Sequence, residues 1–182
     1  MLNNSKKGLL LLIVATLFWS GNYICGRYLS PALPPTLLNT IRWAISALIL
    51  FGMIRASKQK LPLFSKWKEF SLLGFLGIFV FSTLTYEGLT LVSASRAGMI
   101  SALIPIFILL CTPLVLKEKV SSRAWIGSLI SIVGVYLLFQ SKEPVSGSGS
   151  LMGDILILLS CVAWSFYTVL GKKYSASIDP LT

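Results

Sequence analysis

The chain has 182 residues, 55% hydrophobic and 12% charged, with a mean hydropathy of +0.81, an apolar excess that points to a polytopic membrane protein rather than a soluble core. Its net charge of +10 falls in short clusters between apolar runs, as membrane proteins record their orientation, which argues against nucleic acid as a partner. The absence of histidine removes the usual general base and the commonest zinc ligand. Cys25, Cys111 and Cys161 show no ligand or disulfide spacing, so no enzyme, metal site or cofactor is expected.

Lys6-Lys7 ahead of an apolar run resembles a secretory signal. The run continues to about Leu29, however, and no small-residue cleavage site follows, so a retained first helix over Gly8–Leu29 is expected. Pro31, Pro34 and Pro35 then break the chain before a second helix, Pro35–Ile54. A third follows over Phe70–Leu91, a fourth over Ala97–Leu116, a fifth over Ala124–Gln140 and a sixth over Gly153–Gly171. Each has about 17–22 residues, enough to cross a hydrocarbon core. Most connections are short, which makes consecutive helices antiparallel neighbours. Only Ser141–Ser150, with Pro144 and a Ser-Gly alternation, has linker composition.

A repeat orders these helices. A shift of 145 residues carries Gly8 onto Gly153, Trp19 onto Trp164, Ser20 onto Ser165, Gly26 onto Gly171 and Pro35 onto Pro180. Five helices separate the copies of the Trp-Ser motif, and five is odd, so the two copies cross the membrane in opposite senses. The expected fold is an all-α polytopic membrane protein of about six transmembrane helices. A five-helix inverted-repeat unit occupies residues 8–140, a linker 141–152, and the start of a second unit 153–182. Twelve Lys and Arg lie on the side of Lys6 and Lys7 and four on the other, which makes the N-terminus cytoplasmic.

The Trp19-Ser-Gly-Asn22 helix, the Pro35…Arg42 second helix and the run from Ser93 to Pro105 resemble the EamA family of the drug/metabolite transporter superfamily. So do Lys117-Glu118-Lys119, Trp125-Ile-Gly127 and Gly134-Val135. The resemblance implies ten spans in two repeats, of which this chain carries the first repeat and one helix of the second. It also implies a secondary transporter in the cell (inner or plasma) membrane, exporting small metabolites, amino acids or drugs by alternating access. The expected partners are a small-molecule substrate, the lipid bilayer, and either a homo-oligomer or a separate C-terminal half. The competing expectation is a non-transporting membrane module, or a truncated-gene product, that acts only in assembly.

Thr16, Ser20, Tyr23 and Arg27 share one face of the first helix beside Trp19 and Asn22. The shifted positions are Cys161, Ser165, Thr168 and Lys172, beside Trp164 and Tyr167. Paired seams of this kind suit a central pathway, whereas a single Ser or Thr more simply bonds a helix carbonyl. Arg42 and Glu87 sit at overlapping depth, and a charge alone in hydrocarbon costs about 2.5–3.5 kcal/mol, so an ion pair between them is the favoured expectation. In the functional alternative Arg42 attracts a carboxylate or Glu87 carries a proton, with Tyr86, Thr83 and Thr90 at hand. The Ala94, Gly98, Ala102 stripe is expected to serve helix packing. Pro105, with Ser101 one turn before it, marks a kink that can hinge or offer a carbonyl. Glu118 is expected to pair with Arg123 or another nearby basic residue. The basic loop Arg55–Lys68 is expected to meet anionic lipid, and its two Ser-x-x-Lys matches are taken as chance. No nucleotide-binding loop is present, so direct ATP drive is not expected.

Overall fold

A computed structural model describes residues 4–57, 65–140 and 150–175. Residues 141–149 of the expected linker, half of the basic loop (58–64) and the repeat's Pro180 lie outside the described residues, and the linker's expected last two residues, Leu151 and Met152, open the sixth helix instead. Among the described residues there are six helices: α1 (Asn4–Leu29), α2 (Pro35–Ser57), α3 (Trp67–Leu91), α4 (Ala94–Leu116), α5 (Ser122–Gln140) and α6 (Leu151–Ser175). Five are long and apolar enough to cross a membrane, and α5 contributes a shorter apolar stretch, Ser122–Leu137. The protein is thus an all-helical, multi-pass membrane protein. Each helix starts two to four residues before its expected boundary, except α2, which starts at Pro35 as expected. The flanking polar residues continue the backbone hydrogen bonds after the apolar pattern has ended.

Local chemistry sets the breaks. Pro35 opens α2, where its missing N–H is no loss. Ser93 caps α4 by accepting from the Arg96 N–H at 3.2 Å. Lys117 adopts a left-handed conformation, φ 57°, and ends α4 there. Two helices are irregular within the membrane span. In α3, Phe75–Val80 form a π-helical turn, a feature that inserts a residue and rotates the side-chain stripe. In α4 the helix breaks after Ser101 and restarts at Ile104. Pro105 lies in that new first turn and has no N–H for the Ser101 carbonyl. The expected kink at Pro105 is therefore present.

The core lies where α3, α4 and α6 meet. Leu89, Val92, Ala97, Ile100, Ile157 and Cys161 are buried there, with Tyr86 beside them. Glycine brings α3 and α6 together: a Cβ on Gly88 would lie 2.6 Å from Ile157, and one on Gly153 would lie 2.8 Å from the Leu91 Cβ. The outer faces of α1, α2 and α5 expose Leu11, Phe18, Leu48, Phe51, Ile130 and Leu137, as lipid-facing helices do.

Helix directions follow from the pairs in contact. Gly77 approaches Tyr167 while Gly88 approaches Gly153, so α3 and α6 run antiparallel. Arg27 donates to the Leu89 and Thr90 carbonyls at 2.7 and 2.9 Å, and Asn22 meets Tyr86, so α1 and α3 run parallel. It follows that α1 and α6, the helices related by the 145-residue shift, run antiparallel. This is the opposite sense that the odd helix count predicts.

Ion pairs tie α6 to α4 near both ends. Arg96 grips Asp154 through two bonds, Nε to Oδ1 at 2.7 Å and Nη2 to Oδ2 at 2.6 Å. At the other end Lys172 reaches Glu118 at 2.6 Å. Glu118 therefore pairs with α6, not with Arg123, because the parallel packing of α4 and α6 brings the two C-terminal ends together. The Lys172 pair is more than half exposed and worth little, whereas the Arg96 fork is partly buried and geometrically specific. Arg96→Gln is expected to cost about 1.5–3 kcal/mol, with Arg96→Gln/Asp154→Asn little worse than either single change. Thermal unfolding in detergent reads this, and fully additive losses would contradict the pair.

Candidate functional site

The two Trp-Ser motifs meet. Trp19 of α1 and Trp164 of α6 stand edge to face with ring centroids 5.0 Å apart, a geometry the ring quadrupoles favour. Trp164 also packs on Phe81 at 4.6 Å and Tyr167 at 4.9 Å. Room for Tyr167 comes from the π-turn of α3: a Cβ on Gly77 would lie 2.6 Å from its ring. An aromatic cluster therefore sits where the two repeat-related helices cross, with a cavity on each side of Trp19.

The first cavity lies between α1 and the broken part of α4 and has a volume of about 380 Å³. Tyr23, Ser101 and Pro105 line it, together with Gly98 and Ala102. The Tyr23 and Ser101 hydroxyls share a hydrogen bond of 2.8 Å, and the Cys161 Sγ lies 4.0 Å from Ser101. A Cβ on Gly98 would meet nothing within 4 Å. The Ala94, Gly98, Ala102 stripe is thus not a uniform packing seam. Ala94 packs against the core, whereas Gly98 and Ala102 keep this cavity open. The close helix contact is made instead by Gly88 and Gly153.

The second cavity, also of about 380 Å³, lies between α1, α2, α3 and α6. Arg42 of α2 reaches into a polar cluster on its wall. Its Nη1 donates to Asn22 Oδ1 at 2.5 Å and to the Tyr86 hydroxyl at 2.8 Å, and its Nη2 to Ser82 Oγ at 3.2 Å. Tyr86 in turn donates to Asn22 at 2.7 Å. The guanidinium also lies over the rings of Trp43 and Tyr86, at 5.1 and 5.2 Å. Gly26 of α1 permits this approach, since a Cβ there would lie 2.6 Å from the Tyr86 ring.

The expected Arg42–Glu87 ion pair is not formed. Arg42 meets α3 at Ser82 and Tyr86, one turn apart on a single face. Glu87 follows Tyr86 by one residue and is rotated about 100° away from that face. Among the described residues the Glu87 carboxylate has no ion-pair partner. Thr83 faces α2 through Asn39 at 3.4 Å, and Thr90 returns its hydroxyl to the Glu87 carbonyl at 2.7 Å.

The polar seams also divide. Thr16 and Ser20 line the first cavity beside Tyr23, with their hydroxyls bonded to carbonyls of their own helix, whereas Ser165 and Thr168 bond carbonyls of α6, the simpler role considered for such residues. Arg27 leaves the α1 seam to cap the C-terminal carbonyls of α3, where a cation is favoured. Of the residues singled out in the sequence, Trp19, Trp164 and Tyr167 form the aromatic contact. Asn22, Arg42 and Tyr86 form the polar cluster, and Tyr23, Ser101 and Pro105 line the first cavity. Glu87 and Thr168 join neither group. Ser82, Trp43, Phe81 and Gly77 belong with the second cavity and carried no motif of their own; only the spacing of Ser82 and Tyr86 on one face of α3 pointed toward them.

The EamA-like transporter family matches residues 6–140. A protein of Clostridium kluyveri and one of Archaeoglobus fulgidus, each named an uncharacterized transporter, are both 28% identical to this chain. The first match covers 92% of this chain and 57% of the relative, the second 97% and 61%. The uncharacterized transporter YdfC of Bacillus subtilis is 33% identical over 128 residues, 70% of this chain and 40% of its own length. The chain thus spans less than two thirds of these relatives. No solved structure matches it significantly. With a family match over residues 6–140, most of its length, this chain belongs to the EamA-like transporter family.

Proposed function

We propose that the chain supplies the first repeat unit, residues 8–140, and the opening helix of the inverted second unit, from residue 153, of a secondary transporter. It moves small metabolites, amino acids or drugs outward across the cell membrane by alternating access, with the N-terminus in the cytoplasm. The observation that carries this reading is the contact of Trp19 with Trp164. Two antiparallel helices related by the 145-residue shift meet at one aromatic pair with a cavity on either side, and inverted-repeat transporters place their substrate pathway where the repeats meet. The twelve-to-four distribution of basic residues supports the orientation.

The test is solute uptake and efflux by vesicles containing the full-length protein, with and without a proton gradient, beside the Gly98→Leu variant. The reading expects saturable movement of at least one small solute. Gly98→Leu fills open space, so it should leave the melting temperature near wild type while lowering transport by about tenfold or more, the equivalent of about 1.4 kcal/mol. Vesicles that move no solute under any gradient would refute the reading.

A further inference from the structure

We infer that the cavity beside Arg42 is a carboxylate site, built for a small organic anion whose apolar, planar body lies against Trp19, Trp43, Phe81 and Trp164. This deepens the transporter reading and rests on it. A guanidinium carries five N–H donors in a fixed fork. In Arg42, Nη1 donates to Asn22 and Tyr86 and Nη2 donates to Ser82. Among the described residues Nε has no hydrogen-bond partner. Nε lies on the side edge of the fork, and this same chain shows what that edge does elsewhere: through Nε and Nη2, Arg96 holds both oxygens of Asp154. Arg42 presents the same edge with no carboxylate on it.

Charge and shape point the same way. No acidic residue lines the cavity, and Arg42 forms no ion pair among the described residues. The cation is therefore held in place by neutral oxygens and two aromatic rings, and its charge is left uncompensated within a membrane-spanning helix. An anion bound at the open edge would neutralise it, whereas an organic cation would be repelled. The volume of about 380 Å³ falls in the range of small-molecule sites, about 300–1,000 Å³. Asn22, bonded to both Arg42 and Tyr86, fixes the direction of the fork and so the plane in which a carboxylate would lie.

Because Trp19, Trp43 and Trp164 line the cavity, their fluorescence reports occupancy. The full-length protein in detergent is titrated with benzoate and, separately, with benzamide, its neutral isostere. The inference expects saturable quenching by benzoate and binding of benzamide weaker by about tenfold or more. Arg42→Gln should abolish the preference, and Arg42→Lys, which keeps the charge but not the fork, should restore it only in part. The comparison of the two probes on the unaltered protein decides the matter even if Arg42→Gln fails to fold. Equal binding of the two probes, or no benzoate binding up to about 10 mM, overturns the carboxylate site, even where vesicles transport other solutes. Selective benzoate binding by a protein that moves nothing would sustain the site and overturn the transporter reading instead.

Discussion

Gly153→Val is expected to lower stability by about 1–3 kcal/mol, and Gly88→Ala to lower it by less, about 1 kcal/mol. The two glycines face each other across α3 and α6, and a Cβ at either would intrude on the partner helix, yet what it would strike differs. At Gly153 the obstacle is the Cβ of Leu91 at 2.8 Å, with Val92 Cγ1 at 2.7 Å. A Cβ is fixed by the backbone, so relief there requires the helices to move apart. At Gly88 the nearest atoms are Cδ1 and Cγ1 of Ile157, at 2.6 and 2.8 Å, with the Gly153 carbonyl oxygen at 3.2 Å. Ile157 is fully buried and yields only in part, but an alanine in a helix interior regains about 0.8–1.0 kcal/mol of propensity over glycine, which offsets some of the cost. Unfolding in detergent of the two single variants and the double variant measures the difference. Wild-type stability in both single variants would contradict the close contact of α3 with α6.

Arg42→Gln is expected to cost about 1.5–3 kcal/mol, whereas Glu87→Gln should remain within about 0.5 kcal/mol of wild type. The insertion cost of a charge does not decide this, because the same arginine occupies the bilayer in the inserted but unpacked helix and in the folded bundle. What differs is the set of oxygens that receives it. Without the guanidinium, Asn22 Oδ1 keeps only the Tyr86 hydroxyl, and Ser82 keeps only the Trp43 indole N–H at 3.3 Å. A double-mutant cycle separates this arrangement from an Arg42–Glu87 pair. Arg42→Gln with Glu87→Gln should show coupling below about 0.5 kcal/mol, and Arg42→Gln with Asn22→Ala about 1 kcal/mol or more. Strong coupling to Glu87 together with none to Asn22 would restore the ion pair and dissolve the polar cluster.

These two expectations also mark where sequence reading stops. The helices were legible because the length of an apolar run is fixed by the bilayer, and the Trp19–Trp164 relation because a repeat of 145 residues keeps its signature. Depth was legible as well: Arg42 does meet α3 at the level of Glu87. Rotation about the helix axis was not, since one residue is a turn of about 100° and the π-turn at Phe75–Val80 changes the phase of α3 with no mark in an apolar sequence. Glycine identity was equally silent. Gly98 in its small-residue stripe faces open space, while Gly88 and Gly153, on different helices and sixty-five residues apart, make the tight contact. Partners joined across such distances, Arg96 with Asp154 and Lys172 with Glu118, depend on which helices run parallel, and that is a property of the packed bundle.

The inversion of α1 relative to α6 is tested most directly by labelling single cysteines from either side of the membrane. Lys7→Cys, Ser150→Cys and Lys173→Cys are introduced one at a time into full-length protein lacking its native cysteines and probed in intact cells with a thiol reagent that does not cross the bilayer. Lys7→Cys and Lys173→Cys should stay unlabelled until the cells are opened, while Ser150→Cys should react from outside. Finding Lys7→Cys and Ser150→Cys on the same side of the membrane would contradict the inverted relation on which the proposed alternating access depends.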